Sequence, residues 1–129
     1  MELKIVEQSD KLIRLALVGM LDAKGVQAVE LKFLGHTAAK GKSTILDLSE
    51  TTYISSIGIG MLLNASKSLQ RKGAKLVILN PHPMVEEVLK ASRLTEILPI
   101  ARDAAEAARM AGIRGLPSRP KIVPRGMMS

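Results

Sequence analysis

At 129 residues the chain is long enough for one compact domain with a single core. One Phe, one Tyr and no Trp or Cys leave Leu, Ile, Val, Ala and Met to build that core. The lack of Cys excludes disulfide frameworks, Cys-ligated zinc and thiol catalysis, and the scarcity of aromatics argues against a base-stacking platform. The net charge of +7 is unevenly spread: residues 1–100 carry 13 Lys/Arg against 10 Asp/Glu, and residues 101–129 carry 6 against 2.

Leu3-Lys4-Ile5-Val6 and Leu12 to Val18 read as two strands joined by a polar turn, the second closed by Gly19. Asp22 has the chemistry of a helix N-cap, and a helix is predicted from Ala23 to about Ala39 with Val26, Val29, Phe33 and Leu34 inward. Gly41 precedes a third strand, Ser43 to Leu48. Polar Ser49 to Thr52 leads into Tyr53-Ile54-Ser55-Ser56. From Ile57 to about Lys72 a second helix is predicted, ending on basic residues and stopped by Gly73.

Lys75 to Leu79 has the apolar run of a central strand. A third helix is expected from Met84 to about Ser92, a short strand at Ile97–Ile100, and an alanine-rich fourth helix from Ala101 to about Met110. The order β-β-α-β-α-β-α-β-α predicts an α/β fold: a mostly parallel sheet with an antiparallel edge hairpin, packed with about four helices. Residues 1–111 form this domain, and the basic, Pro- and Gly-containing segment 112–129 reads as a flexible tail.

MELKIVEQSD lacks an apolar signal core, and no apolar run reaches bilayer-spanning length, so a cytoplasmic location without a membrane span is expected. His36 and His82 lie in no metal-ligand spacing and read as exposed loop or helix-end residues. No cofactor or metal is expected.

The chemistry concentrates in Leu46–Leu63, LDLSETTYISSIGIGMLL. Two serines stand before a helix opened by Gly58 and Gly60. Ser56 reads as its N-cap, and the glycines suggest a close backbone approach. A helix N-terminus accommodates a phosphate, so a phosphoryl group on Ser56 would add roughly −1.5 to −2 charges without unfolding the helix.

Gly19-Met20-Leu21-Asp22, Asp47-Leu48-Ser49, Tyr53 to Gly60, Gly73-Ala74-Lys75-Leu76, and Val88-Leu89 with Leu94 together resemble the STAS domain family. The likeness is strongest to bacterial anti-sigma-factor antagonists and runs from about Leu3 to Met110. The resemblance implies phosphorylation of Ser56, with Ser55, which stands at the family's Asp position, as second choice. It implies a partner-binding surface at Asp22, Ser55, Ser56, Ile57, Gly58, Ile59, Gly60 and Met61. The implied partners are an anti-sigma factor with serine protein kinase activity, displaced from its sigma factor, and a PP2C-type phosphatase. The chain would be a substrate and ligand with no catalytic residues of its own, and no direct nucleic-acid partner is expected. Arg93 stands where the family often has glycine.

Other readings compete at the level of residues. Ser55-Ser56 serves equally as a plain helix cap. Gly58-x-Gly60 is a weak phosphate-loop signal without a Lys-Ser/Thr. Asp22 and Asp47 could form a carboxylate pair, but no histidine or metal signature accompanies them. A STAS module without a phosphorylation cycle, such as a subunit of a lipid-transport assembly or a sensor, is the alternative to the switch.

Overall fold

The computed structural model describes residues 1–112. Among these, β1 (Glu2–Gln8) and β2 (Leu12–Leu21) form an antiparallel hairpin, followed by α1 (Ala23–His36), β3 (Ser43–Asp47) and β4 (Thr51–Ile54). Then come α2 (Ser56–Arg71), β5 (Leu76–Leu79), α3 (Pro83–Ala91), β6 (Ile100–Ala101) and α4 (Ala104–Met110). The sheet order is β1-β2-β3-β5-β6, parallel from β2 onward. The predicted α/β class and the antiparallel edge are both present. The segment read as a tail lies, apart from Gly112, outside the described residues.

Alternation along the strands gives the sheet two apolar faces. Ile13, Leu15 and Leu17 of β2, Leu46 of β3, and Leu76 and Ile78 of β5 face one side. There they pack with Val26, Val29 and Phe33 of α1, Leu62, Ala65 and Leu69 of α2, and Val85 and Leu89 of α3. Ile45, Val77 and Leu79 point the other way, onto Ala107 of α4 and the following Ala111. Alanine at both positions lets this short helix lie close to the strands.

Several elements differ from expectation. β4 replaces part of the polar connection: Thr51–Ile54 continues the pairing along β2 after β3 stops at Asp47, with Met20 opposite Tyr53 and Leu21 opposite Ile54. Thr51 is buried, and its hydroxyl donates to Leu17 O at 2.8 Å, which makes a polar residue fit this strand. α1 stops at His36, where buried Thr37 caps it and donates its hydroxyl to Phe33 O at 2.8 Å. α3 runs one residue earlier at each end than predicted, Pro83 taking the favoured first-turn position. The last strand falls at Ile100–Ala101, because Pro99 cannot donate and pairing with β5 begins after it. α4 accordingly starts at Ala104, behind Asp103, whose carboxylate accepts from Glu106 N at 2.8 Å.

Both histidines stand at helix ends, one of the two placements expected, but they are not exposed: His36 is the last residue of α1. Both are half-buried, and His82 caps α3 by accepting from Met84 N at 3.2 Å. Arg93 adopts a left-handed φ of 58° after α3, the conformation that explains why glycine suits this turn.

Glu86 of α3 joins that helix to the start of α4. Its carboxylate takes both guanidinium nitrogens of Arg102 and pairs with Lys90 at 2.8 Å. Hydrogen bonds from Arg102, then from Lys90, hold the Glu86 carboxyl down at about 2. A depressed folded-state pKa contributes stability above the unfolded carboxylate range and loses it as pH falls toward 2. Glu86→Gln is therefore expected to flatten the loss of thermal stability between pH 4.5 and pH 2. Parallel melting curves of wild type and variant over that window check it, and identical slopes would contradict it.

Candidate functional site

The C-terminal end of β2 presses on the starts of two helices. Asp22 caps α1, its Oδ1 accepting from Gly25 N at 2.8 Å. Ser55 caps α2 in the same manner, its Oγ accepting from Gly58 N at 3.3 Å. The Ser55 hydroxyl also donates to Leu21 O at 3.2 Å, and its backbone N–H donates to the same oxygen at 3.0 Å. Each capped helix carries glycine three residues after its cap. A Cβ on Gly25 would sit 2.1 Å from Met20 O, and one on Gly58 would sit 2.6 Å from Leu21 O. The close approach expected from the glycines is real at Gly58. Gly60 would place a Cβ in open space and plays no part in it.

The cap is therefore Ser55 and not Ser56, and α2 begins one residue before the predicted Ile57. Ser56 is the exposed first residue of the helix, at the positive end of its dipole, with no acidic residue in the first turn. Loss of the Ser55 hydroxyl removes the cap and one donor to Leu21 O. Ser55→Ala is expected to cost about 1 kcal/mol, read by urea denaturation; an unchanged midpoint would contradict that role.

The predicted contact residues separate into two groups. Met61 is a core residue at 2% exposure, and Gly58 is buried against β2, so neither forms part of a contact face. The side chain of Ile59 packs half-buried against the core, and Gly60 is likewise half-buried. The reason is helical spacing: Gly58, Met61, Leu62, Ala65 and Leu69 form the inward stripe of α2. Ser56 and Ile57 face outward, with Ser55 and Asp22 half-buried beside them.

Sequence reasoning missed the apolar surroundings of Ser56. Met20 is 50% exposed, its strand partner Tyr53 44%, and Ile57 54%. Met84, 55% exposed, is the second residue of α3, which packs against β4. The signal lay in the unread strand β4: once Thr51–Ile54 pairs with β2, Tyr53 is set beside Met20 and two residues before the serines. Exposed apolar side chains next to the serines in the chain (Tyr53, Ile57) and on the strand paired with Tyr53 (Met20) suit contact with another protein better than they suit catalysis.

Asp47 contributes nothing to that surface. Its Oδ1 accepts from Ser49 N at 2.8 Å in a local turn, as Asp22 is occupied in its cap. Among the described residues no group of three or more His, Asp and Glu is placed to hold a metal ion, and no helix is long and apolar enough to cross a membrane.

A family model described as the STAS domain matches residues 4–107. BtrV of Bordetella bronchiseptica, named as a candidate anti-sigma factor antagonist, is 29% identical over 105 residues, 80% of this chain and 90% of that one. An anti-sigma F factor antagonist of Lysinibacillus sphaericus is 27% identical over 116 residues, 89% of this chain and 95% of that one. Among solved structures, unphosphorylated SpoIIAA, an anti-sigma factor antagonist, superposes with a TM-score of 0.69 at 20% identity. It covers 87% of this chain and 98% of its own.

Proposed function

This chain belongs to the STAS domain family, and we propose that it acts as an anti-sigma-factor antagonist switched by phosphorylation of Ser56. The unphosphorylated form binds a cytoplasmic anti-sigma factor that is also a serine kinase, and so frees a sigma factor. The observation that carries this reading is the position of Ser56: an exposed residue at the start of α2, directly before exposed Ile57 and three residues after exposed Tyr53.

The chemistry follows from that placement. The kinase supplies ATP; Ser56 Oγ takes the γ-phosphoryl group, ADP leaves, and the hydroxyl proton passes to a base on the kinase. The protein is the acceptor and performs no catalysis. A phosphate there adds roughly −1.5 to −2 charges inside an apolar contact, where desolvating it against a close-packed partner is costly. The same charge lies at the N-terminus of α2, which favours it by about 0.3–1 kcal/mol. The domain thus stays folded while the contact is lost, and a PP2C-type phosphatase restores it.

The hydrogen bonds favour Ser56 over Ser55 as acceptor. Ser55 Oγ already donates to Leu21 O and accepts from Gly58 N, so transfer to it would open the helix cap and its tie to β2. With ATP and a cognate kinase, the protein is expected to gain one phosphate, mapped to Ser56 by peptide mass spectrometry and absent in Ser56→Ala. Phosphate on Ser55 would reassign the acceptor. No phosphate at all would favour a STAS interaction module without a phosphorylation cycle.

A further inference from the structure

Pro99 leaves a gap beside β5. Along that strand the backbone groups of successive residues turn alternately to one neighbouring strand and the other. Lys75 turns toward β3: its carbonyl accepts from Thr44 N at 2.8 Å and its N–H donates to Ser43 Oγ at 3.2 Å. Leu76 and Ile78 therefore turn the other way, toward β6. Ile78 donates there to Pro99 O at 2.8 Å, and the pairing of β5 with β6 begins at this residue. One step earlier the ladder needs an N–H at position 99 to reach Leu76 O, and proline has none. Leu76 is 2% exposed. Among the described residues neither its N–H nor its C=O has a hydrogen-bond partner.

Leu76 lines a cavity of about 530 Å3 between α2 and the chain that leads into β6. Ser66 of α2 lines the same cavity at 2% exposure, and its hydroxyl has no hydrogen-bond partner among the described residues. Ile97 and Met110 add apolar wall. The charged residues that line it, Lys75 and Glu96, are exposed and of opposite sign. Buried polar groups are nearly always paired, so a hydroxyl, an N–H and a C=O left open on one cavity call for an occupant.

We propose that this cavity binds a small, mostly apolar molecule that carries an amide. An amide sets a donor beside an acceptor, the pair that Leu76 C=O and N–H require, and its carbonyl oxygen has a second lone pair for the Ser66 hydroxyl. The apolar remainder lies against Ile97 and Met110, as in ligand pockets of this size. An ionised ligand fits less well, because Lys75 and Glu96 offset each other and no buried counter-charge lines the cavity. An added peptide strand also fits less well, since it draws its affinity from a run of main-chain bonds. Only Leu76 is open here: Ala74 N already donates to Leu69 O at 2.8 Å. Ser66 lies 10 residues along α2 from Ser56, about 15 Å, and the proposal stands apart from the phosphorylation reading.

The test is titration of the isotope-labelled full chain with benzamide, followed by the NMR shifts of its backbone amides. Saturable shifts are expected at Leu76 and around Ser66, with a Kd in the millimolar range for so small a probe. N,N-dimethylbenzamide keeps the carbonyl but has no N–H to donate, so Leu76 O stays unpaired. It is expected to bind about tenfold more weakly. Ser66→Ala removes one hydroxyl from a helix that accepts alanine readily. With its fold checked by a thermal melt, it is expected to bind benzamide about fivefold more weakly. No saturable shift at Leu76, equal affinity for the two probes, or wild-type affinity in Ser66→Ala would overturn the proposal.

Discussion

Gly58→Ala is expected to destabilise the fold by about 1–3 kcal/mol, although alanine is the better helix former. Its Cβ would lie 2.6 Å from Leu21 O, 2.8 Å from Leu21 Cγ and 3.1 Å from Ile54 Cγ1. The carbonyl cannot swing aside cheaply, because it accepts two hydrogen bonds from Ser55. α2 must therefore shift away from β2, which strains the cap. Gly60→Ala is the matched control, with nothing within 4 Å of its Cβ. It should be neutral or stabilise by about 0.5–1 kcal/mol. Urea denaturation of both variants tests the pair. Equal effects would mean that β2 does not press on α2 as described.

The second large effect is on binding. Tyr53→Ala and Ile57→Ala are each expected to weaken a partner anti-sigma factor by tenfold or more, since buried aromatic and aliphatic anchors dominate protein contacts. Both side chains are about half exposed in the free chain, so their removal should leave the unfolding midpoint nearly unchanged. Met61→Ala should do the reverse, lowering stability by about 2–5 kcal/mol through a core cavity without removing a contact atom. Calorimetric titration with the partner, set beside thermal melts, separates the two patterns. Tyr53→Ala and Ile57→Ala binding as wild type would remove this surface from the account.

The sequence carries the parts of this fold that depend on local pattern. β2, β3, β5 and the three helices packed on the main face follow from apolar spacing, and Asp22 from cap chemistry. What it hides depends on pairing across the chain. β4 is short and begins with two threonines; it becomes a strand because β2 runs past the end of β3. β6 is set by Ile78 and Leu79 of β5 rather than by its own residues. With adjacent serines, cap chemistry alone cannot decide which one caps, and Leu21 O decides it by accepting from Ser55. Met61 was legible in principle, since it lies three residues after Gly58 on the inward stripe.

The most direct measurement is the affinity of a serine-kinase anti-sigma factor for wild type, Ser56→Ala and Ser56→Asp, each first shown to melt normally. Wild type and Ser56→Ala are predicted to bind alike, and Ser56→Asp to bind at least tenfold more weakly, because only the charge disturbs the apolar surface around Met20, Tyr53 and Ile57. Equal affinity of all three would contradict Ser56 as the control point.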